Sequence, residues 1–434
     1  MPFPYATATV SEIEERARSL VGRALIEIDP TAPMQPSSAQ TKGRVGRIYE
    51  SAFDIPPNSV AGPDFPGAGI ELKSVPVLLT PGSAKAKERI SVGMIDFDRL
   101  ATEEWATAAV RKKIERMLVI FYAWEPLRPI ASFRTLVAGI WEPDESTLAG
   151  IRSDWDLIAG LVRSGRRDDV SESLTTMLGA ATKGPGHGSR SRAWSLKQPF
   201  VTWLYEVMRG REALPIGPIA ANPEAAFETR VLEQLRPHIG QSLGALAASI
   251  GRPDLGGKAA TSQIVRTLIG ERPRGRHGDF ERFGIETKVV PVDSRGTVVE
   301  RMSFPAFIHE ELVFEDWSTS DLLGRLNRLL IVPIHREKGA ALADTVLGRP
   351  FFWSPTPTEL DGIAEEWATY RNLIAAGGAN QLPPASQTTY VHVRTHGRDA
   401  TDREPAPGGF DVTRKSFWLN DRFLERILRE HGVI

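Results

Sequence analysis

Residues 64–77 read DFPGAGIELKSVPV, and residues 279–292 repeat the pattern as DFERFGIETKVVPV. Every shared position of the two stretches is offset by the same 215 residues. The alternation of apolar and polar side chains after the glycine predicts a β-strand at each place. The chain is therefore interpreted as two diverged copies of one domain.

Two further pairs of segments extend the repeat upstream and downstream. Residues 22–25 have a counterpart at 240–243, and residues 116–120 have one at 328–332. Small insertions explain why these offsets, 218 and 212, differ from 215. Prolines and glycines interrupt the helical pattern between Arg209 and Glu224, which places the boundary there. We predict a first domain at 1–214 and a second at 215–434.

Each copy is predicted to be a mixed α/β domain. Helical periodicity opens the copies at Val10–Leu20 and Ala225–Leu235. Strand-like runs follow at 70–79 and 117–123 in the first copy, and at 285–292 and 329–334 in the second. Apolar residues at helical spacing predict a helix over Trp105–Met117.

Composition restricts the functional class only weakly. The chain has 434 residues, a formal net charge of −1 and no cysteine, so disulfides and thiolate zinc sites are excluded. It has no apolar run of about 18 residues and no signal-like N-terminus, which predicts a cytoplasmic protein without a membrane span. The balanced charge requires that basic residues be clustered if the partner is a nucleic acid.

The stretch at 64–73 brings together residue types suited to metal-dependent chemistry. Glu71 and Lys73 lie two apart in a strand and so share one face. The intervening proline–glycine turn allows Asp64 to fold back beside Glu71. Two carboxylates are natural ligands for Mg²⁺, and a nearby lysine can orient an attacking water or neutralise phosphate charge. We therefore predict Asp64 and Glu71 as metal ligands and Lys73 as a catalytic residue.

The pattern is weak when it is taken alone. An Asp and a Glu-x-Lys pair at this spacing arise by chance in about one of ten chains of this length. An exposed pair on a strand edge is the alternative interpretation. The histidines show no metal-ligand spacing, and a lone one such as His309 is more often a core or surface residue.

At these residues the sequence resembles the MutH-like branch of the PD-(D/E)xK endonucleases. Residues 42–50 resemble the family segment that ends in an active-site glutamate, which implies that role for Glu50. Residues 110–116 resemble the segment that carries a second functional lysine, which implies that role for Lys113. The resemblance implies two tandem restriction-endonuclease-like domains, each with a mixed central β-sheet flanked by helices.

The second copy departs from the family pattern. Asp279, Glu286 and Lys288 persist, whereas Arg266 and Arg325 stand at or near the positions of Glu50 and Lys113. Arginine is neither a metal ligand nor a proton acceptor near neutral pH. We interpret the second copy as a degenerate DNA-binding or regulatory domain; the competing possibility is a second working centre.

Basic residues in loops are candidates for DNA contacts. We predict such contacts for Lys183, Arg190, Arg192 and Lys197, which belong to or follow a glycine-rich basic segment. The resemblance implies base-reading residues at Arg394 and His396. Surface solvation is the alternative for any one of these residues.

The resemblance favours a Mg²⁺-dependent type II restriction endonuclease acting on double-stranded DNA, with GATC as the expected site, because such enzymes include fused pairs of these domains. A mismatch-repair nicking endonuclease and a non-catalytic DNA-binding regulator are the alternatives. Self-association on DNA and a cognate methyltransferase are further expected partners.

Overall fold

The computed structural model divides the chain into two compact units, Met1–Pro223 and Glu224–Ile434. The division falls within the proline-rich segment at 209–224, of which residues 211–222 lie outside the described part. The residues that the structure describes are 2–36, 43–57, 62–80, 83–125, 128–182, 191–210, 223–251, 260–270, 279–337, 339–397, 399 and 401–434.

Unit 1 is a mixed α/β domain. Its helices are α1 (Val10–Leu20), α2 (Leu25–Ile28), α3 (Arg44–Ala52), α4 (Phe97–Leu100), α5 (Ala109–Ile114), α6 (Glu145–Arg163) and α7 (Gln198–Met208). Its strands are β1 (Glu71–Thr80), β2 (Ser83–Ala86), β3 (Ile90–Met94), β4 (Met117–Trp124), β5 (Thr135–Trp141), β6 (Leu178–Thr182) and β7 (Arg192–Leu196).

The main sheet of unit 1 has the strand order β2-β1-β4-β5. Strand β1 runs parallel to β4, with Glu71 beside Met117, and the β4–β5 pair is antiparallel. Nearly every residue of β4 is buried, as expected for a continuous apolar strand covered on both faces. A smaller antiparallel sheet has the order β3-β7-β6.

Unit 2 is a second mixed α/β domain. Its helices are α8 (Pro223–Leu235), α9 (Leu243–Ser249), α10 (Ala260–Leu268), α11 (Asp279–Arg282), α12 (His309–Leu312), α13 (Asp321–Arg325), α14 (Pro357–Ala375) and α15 (Asp421–Glu430). Its strands are β8 (Ile285–Val292), β9 (Ser303–Phe307), β10 (Arg328–His335), β11 (Val346–Leu347), β12 (Phe351–Trp353), β13 (Val391–Thr395), β14 (Arg403–Ala406), β15 (Phe410–Thr413) and β16 (Lys415–Leu419).

The two units share a core topology and register, to which unit 1 adds strand β2 and unit 2 adds the hairpin β14–β15. Strand β8 runs parallel to β10, and Glu286 lies beside Leu329 as Glu71 lies beside Met117. Strands β11 and β12 together pair with β10 as β5 pairs with β4. The smaller sheet β9-β16-β13 has the same connectivity as β3-β7-β6. The predicted fold class, tandem α/β domains with mixed sheets and flanking helices, is confirmed.

Each unit has its own apolar core. In unit 1, α1 and α3 pack against the β1–β4 layer through residues such as Ile13 and Ile48. In unit 2, the long helix α14 and the C-terminal α15 contribute Trp367 and Phe423 to a core that includes β10. Helix α14 begins at a capping box in which Thr356 accepts a hydrogen bond from Glu359 N.

Among the described residues, no helix is both long enough and apolar enough to span a membrane.

Candidate active site

A tight turn places Asp64 beside the start of β1. Phe65 and Ile70 form an isolated antiparallel bridge, and Gly69 adopts a positive φ of 66° between them. Gly67 lies so close to the N-terminal segment that a Cβ there would be 2.7 Å from the carbonyl oxygen of Ala6. The turn allows the main-chain N–H of Leu72 to donate to Asp64 Oδ2 at 2.8 Å.

Two lysines converge on one oxygen of Glu71. Lys73 Nζ donates to Glu71 Oε1 at 2.8 Å, and Lys113 Nζ lies 3.6 Å from the same oxygen. Lys73 shares the strand β1 with Glu71, whereas Lys113 comes from α5, which leads into the neighbouring strand β4. The predicted Glu71, Lys73 and Lys113 are thus brought together by one parallel strand pair.

Glu50 projects from α3, which packs on β1. The preceding residue, Tyr49, is fully buried and its hydroxyl lies 2.9 Å from Thr135 Oγ1, which ties α3 to β5. Because this helix is anchored, Glu50 lies close enough to Asp64 and Lys73 for their charges to shift its pKa. The five residues predicted for catalysis are therefore electrostatically coupled in the structure.

Burial and mutual repulsion disfavour the ionised carboxylates. Burial raises the pKa of Glu50, and the charge of Asp64 raises it further, against the opposing effect of Arg47 and Lys73. Burial also raises the pKa of Asp64, although the N–H of Leu72 and the nearby lysines lower it. Such a cluster gains stability from an added cation, because the cation offsets both the desolvation and the repulsion.

One carboxylate oxygen of the site is buried. Glu71 is 7% exposed, and its Oε2 has no hydrogen-bond partner among the residues that the structure describes. Within the described ranges, no group of three or more His, Cys, Asp and Glu side chains is arranged to hold a metal ion. The candidate ligands are thus two carboxylates, Asp64 and Glu71, which fits a hard cation that keeps several waters.

Unit 2 retains part of this arrangement. Lys288 Nζ lies 2.9 Å from Glu286 Oε1, as Lys73 does from Glu71. Asp279 begins α11 and lies 3.4 Å from a guanidinium nitrogen of Arg230. Arg266 lies on α10, the counterpart of α3, and Arg325 lies on α13, the counterpart of α5.

The predicted DNA contacts differ in their surroundings. Lys183 and Arg190 lie outside the described residues. Arg192 is half-buried at the start of β7. Lys197 donates to the carbonyl oxygens of Glu172 and Thr175 at 2.5 and 2.6 Å. Its ammonium group is thus engaged with the main chain before β6, and its contact with DNA stays a prediction.

Arg394 and His396 lie at the end of β13 in unit 2, and both are exposed. The His396 ring is hydrogen-bonded to Ser416 Oγ at 2.8 Å. His396 also lines a cleft of about 970 Å³ that contains Glu286 and Lys288. The structure therefore brings one of the two predicted base-reading residues to the altered centre of unit 2.

Two contributors to the site were not predicted. Arg47 lies one helical turn before Glu50 and lowers its pKa, an electrostatic interaction that the i,i+3 spacing could have indicated. The main-chain N–H of Leu72, which holds Asp64, has no sequence signal because any residue supplies that donor.

The family model described as "DNA mismatch repair enzyme MutH" matches residues 53–154 and 274–366. The first segment contains Asp64, Glu71, Lys73 and Lys113, and the second contains the counterparts in unit 2. The expected resemblance to the MutH-like endonucleases is confirmed, and it extends over segments of both units.

Particular relatives match the chain to different extents. The type II restriction enzyme Sau3AI from Staphylococcus aureus is 28% identical, and the alignment covers 96% of this chain and 98% of Sau3AI. The DNA mismatch repair protein MutH from Escherichia coli strain K12 is also 28% identical, over 50% of this chain and 97% of its own length. The MutH protein of Shigella flexneri matches to the same extent.

Proposed function

We propose that the chain is a type II restriction endonuclease that hydrolyses phosphodiester bonds of double-stranded DNA through a centre in unit 1. It is a site-specific DNA nuclease. The observation that carries this proposal is the Glu71 carboxylate, which interacts electrostatically with Asp64. Two lysines lie near its Oε1, and its buried Oε2 has no partner among the described residues. The end-to-end match with a restriction enzyme favours restriction over repair.

Asp64 and Glu71 would hold the cation, and Mg²⁺ is the ion we propose because both ligands are carboxylates. When bound, the cation neutralises charge that develops on the scissile phosphate. The raised pKa of Asp64 and the orphaned Glu71 oxygen both support a cation at this place. Metal-free protein should accordingly bind DNA without cutting it.

The lysines supply the remaining positive charge. Lys73 Nζ, fixed by Glu71 Oε1, would orient the attacking water through its N–H groups. Lys113 is more exposed, with 38% of its side chain accessible, and would donate to a phosphate oxygen. Glu50 would position this set from α3 through its charge.

Unit 2 is proposed as a DNA-binding or regulatory domain whose centre, at Asp279, Glu286 and Lys288, is degenerate. Arg394 and His396 would read bases, and Arg192 would contact the backbone of DNA bound to unit 1. Lys183, Arg190 and Lys197 remain proposed contacts of the same kind. The recognition sequence GATC rests on the sequence resemblance.

A single working centre has consequences for cutting both strands. One chain must nick the two strands in sequence, or two chains must associate on the DNA. Self-association on DNA is therefore part of the proposal. A methyltransferase that modifies the same site is the proposed partner, since the host's own DNA requires protection.

The proposal is tested by incubating the purified chain with unmethylated and adenine-methylated plasmid, with Mg²⁺ or with EDTA. We expect discrete fragments that map to GATC in Mg²⁺ and intact plasmid in EDTA. The methylated plasmid shows which modification protects. Intact plasmid under all conditions, with unmethylated GATC sites present, would contradict the proposal.

A repair-type nicking endonuclease is the second candidate, and the match of the MutH proteins over half of the chain favours it. Open-circle product without linear fragments would support it. A non-catalytic regulator is the third, and only DNA binding without cleavage in any divalent cation would support that function.

A further inference from the structure

Glu286 of unit 2 and Glu71 of unit 1 occupy one position of the duplicated fold. Each lies at the start of the corresponding parallel strand pair, and each holds a lysine ammonium on Oε1, at 2.9 Å in unit 2 and 2.8 Å in unit 1. The two carboxylates therefore begin from the same geometry, and differences around them can be assigned to the neighbouring residues.

The difference lies at the second carboxylate oxygen. Glu71 Oε2 is buried and has no partner within the described part of the chain, whereas Glu286 Oε2 accepts a hydrogen bond from an Nη of Arg325 at 3.3 Å. Arg325 is held in turn by Asp321, whose Oδ2 lies 2.5 Å from its Nε. The guanidinium of Arg325 thus contacts two carboxylates. It is held at Oε2 of Glu286, and the corresponding oxygen of Glu71 is the proposed cation ligand in unit 1.

The five matching positions of the two centres differ in net charge. Unit 1 combines three carboxylates with two ammonium groups, a formal charge of −1, through Glu50, Asp64, Glu71, Lys73 and Lys113. In unit 2 the matching positions combine two carboxylates with three cationic groups, a formal charge of +1, through Asp279, Glu286, Lys288, Arg266 and Arg325. Asp321, which pairs with Arg325, offsets the positive charge in unit 2, and Arg47 beside Glu50 offsets the negative charge in unit 1. The substitutions at the matching positions therefore make unit 2 less attractive to a cation than unit 1.

The lowered pKa of Glu286 agrees with the presence of two cationic groups beside its carboxylate. Burial alone would raise the pKa of Glu286, but Lys288 and Arg325 outweigh it and hold the pKa below its ordinary value. Asp321 and Glu286 together raise the pKa of Arg325, so its charge is permanent. Glu286 is therefore an ionised carboxylate that is already neutralised by the protein.

We propose that Arg325 is a built-in substitute for the divalent cation in unit 2. The cleft beside it then serves as a metal-independent site for a backbone phosphate of DNA. The cleft, about 970 Å³ in volume, is lined by Arg266, Lys288, Arg336 and His396 together with Glu286 and Glu300. This inference rests on the proposed function, because it takes DNA as the ligand.

The inference about Arg325 is tested by counting Mn²⁺ ions bound to the full chain by isothermal titration calorimetry. We expect one site in the wild type, none in Glu71→Gln and one in Glu286→Gln. The double variant Arg266→Glu/Arg325→Lys, which restores the charges of unit 1, should gain a second site. Two sites in the wild type, with one lost in Glu286→Gln, would overturn the inference.

A variant of unit 1 makes the converse change, so that the test does not depend on whether the double variant folds. Lys113→Arg should place a guanidinium near Glu71 Oε2 and weaken Mn²⁺ binding about tenfold or more, with an unchanged thermal unfolding midpoint in EDTA. If the wild type binds no Mn²⁺ but the double variant binds one, the role of Arg325 holds and the proposed metal site of unit 1 fails. Full Mn²⁺ affinity in Lys113→Arg would contradict the role of Arg325.

The phosphate site is tested by the affinity of the chain for a labelled DNA duplex in EDTA. Arg266→Glu should weaken binding about tenfold and reduce the slope of affinity against salt by about one. The matched control is Arg295→Glu, because Arg295 also belongs to unit 2 but is 82% exposed and is paired with Asp293, outside the cleft. Equal effects of the two variants, or no effect of Arg266→Glu, would overturn the phosphate site.

Discussion

Replacement of Lys73 by methionine isolates the role of its ammonium group. Methionine is also unbranched but carries no charge, so the variant removes the 2.8 Å contact with Glu71 Oε1 and retains most of the packing. Lys113 stays 3.6 Å from that oxygen, so Glu71 is not left without a cationic neighbour. We therefore expect a loss of unfolding free energy of about 1.5–3 kcal/mol, the range for one hydrogen bond to a charged group.

The effect of Lys73→Met on catalysis should be larger than its effect on folding. Loss of a side chain that positions or activates the attacking water lowers a rate by about 10²–10⁴-fold. The affinity for Mn²⁺ should stay the same or rise, because a positive charge next to the metal ligands has been removed. Cleavage is thus expected to fall without a loss of metal affinity.

The assay is single-turnover cleavage of a DNA duplex at saturating protein with Mg²⁺, combined with Mn²⁺ calorimetry and thermal unfolding. The duplication supplies a matched control, because Lys288 contacts Glu286 as Lys73 contacts Glu71. Lys288→Met should cleave at the wild-type rate once the DNA is saturated. Cleavage by Lys73→Met within threefold of the wild type, or an equal loss in both variants, would refute the role of Lys73.

Two further predictions concern the support of the site and the stability of unit 1. Gly67→Ala should lower the unfolding free energy by about 1–3 kcal/mol and also slow cleavage, because the new Cβ would lie 2.7 Å from the carbonyl oxygen of Ala6 and displace the turn that holds Asp64. Thermal unfolding and cleavage assays measure the two effects. An unaffected cleavage rate would contradict this prediction. Burial raises the pKa of Asp154 to about 6, above its unfolded value, so this residue contributes stability at low pH that is lost as the pH rises through 6. The unfolding midpoint of the wild type should therefore rise relative to that of Asp154→Asn as the pH falls from 7 to 5, and a constant difference would contradict the assignment.

The repeated sequence pattern predicted those parts of the fold that depend on local periodicity. Strands β1, β4, β8 and β10 lie where alternation or continuous apolar runs placed them, because the side chains of a strand directly record which faces are buried. The predicted helix Trp105–Met117 is only partly correct. Ala108 is extended, with φ −57° and ψ 134°, and Glu103 accepts a hydrogen bond from Ala109 N, so α5 begins there.

Contacts between distant segments could not be predicted from the sequence. The Arg325–Glu286 contact depends on how α13 approaches β8, which no local pattern encodes. His309 is a buried residue, one of the two alternatives expected from the sequence, but its partner Glu404 lies 95 residues away in the chain and 2.5 Å away in space. The sequence was sufficient to name the residues of the catalytic centre. That Glu71 Oε2 is buried without a partner among the described residues could be seen only from the structure around it.

The central claim, one metal-dependent centre per chain in unit 1, is tested most directly by strand-resolved cleavage of one duplex by three proteins. These are the wild type, Glu71→Gln and Glu286→Gln, each at saturating concentration with Mg²⁺. We predict that Glu71→Gln cuts neither strand and that Glu286→Gln cuts both strands at the wild-type rate. If Glu71→Gln still nicks one strand, or Glu286→Gln loses cleavage of one strand, both units carry working centres and the claim is wrong.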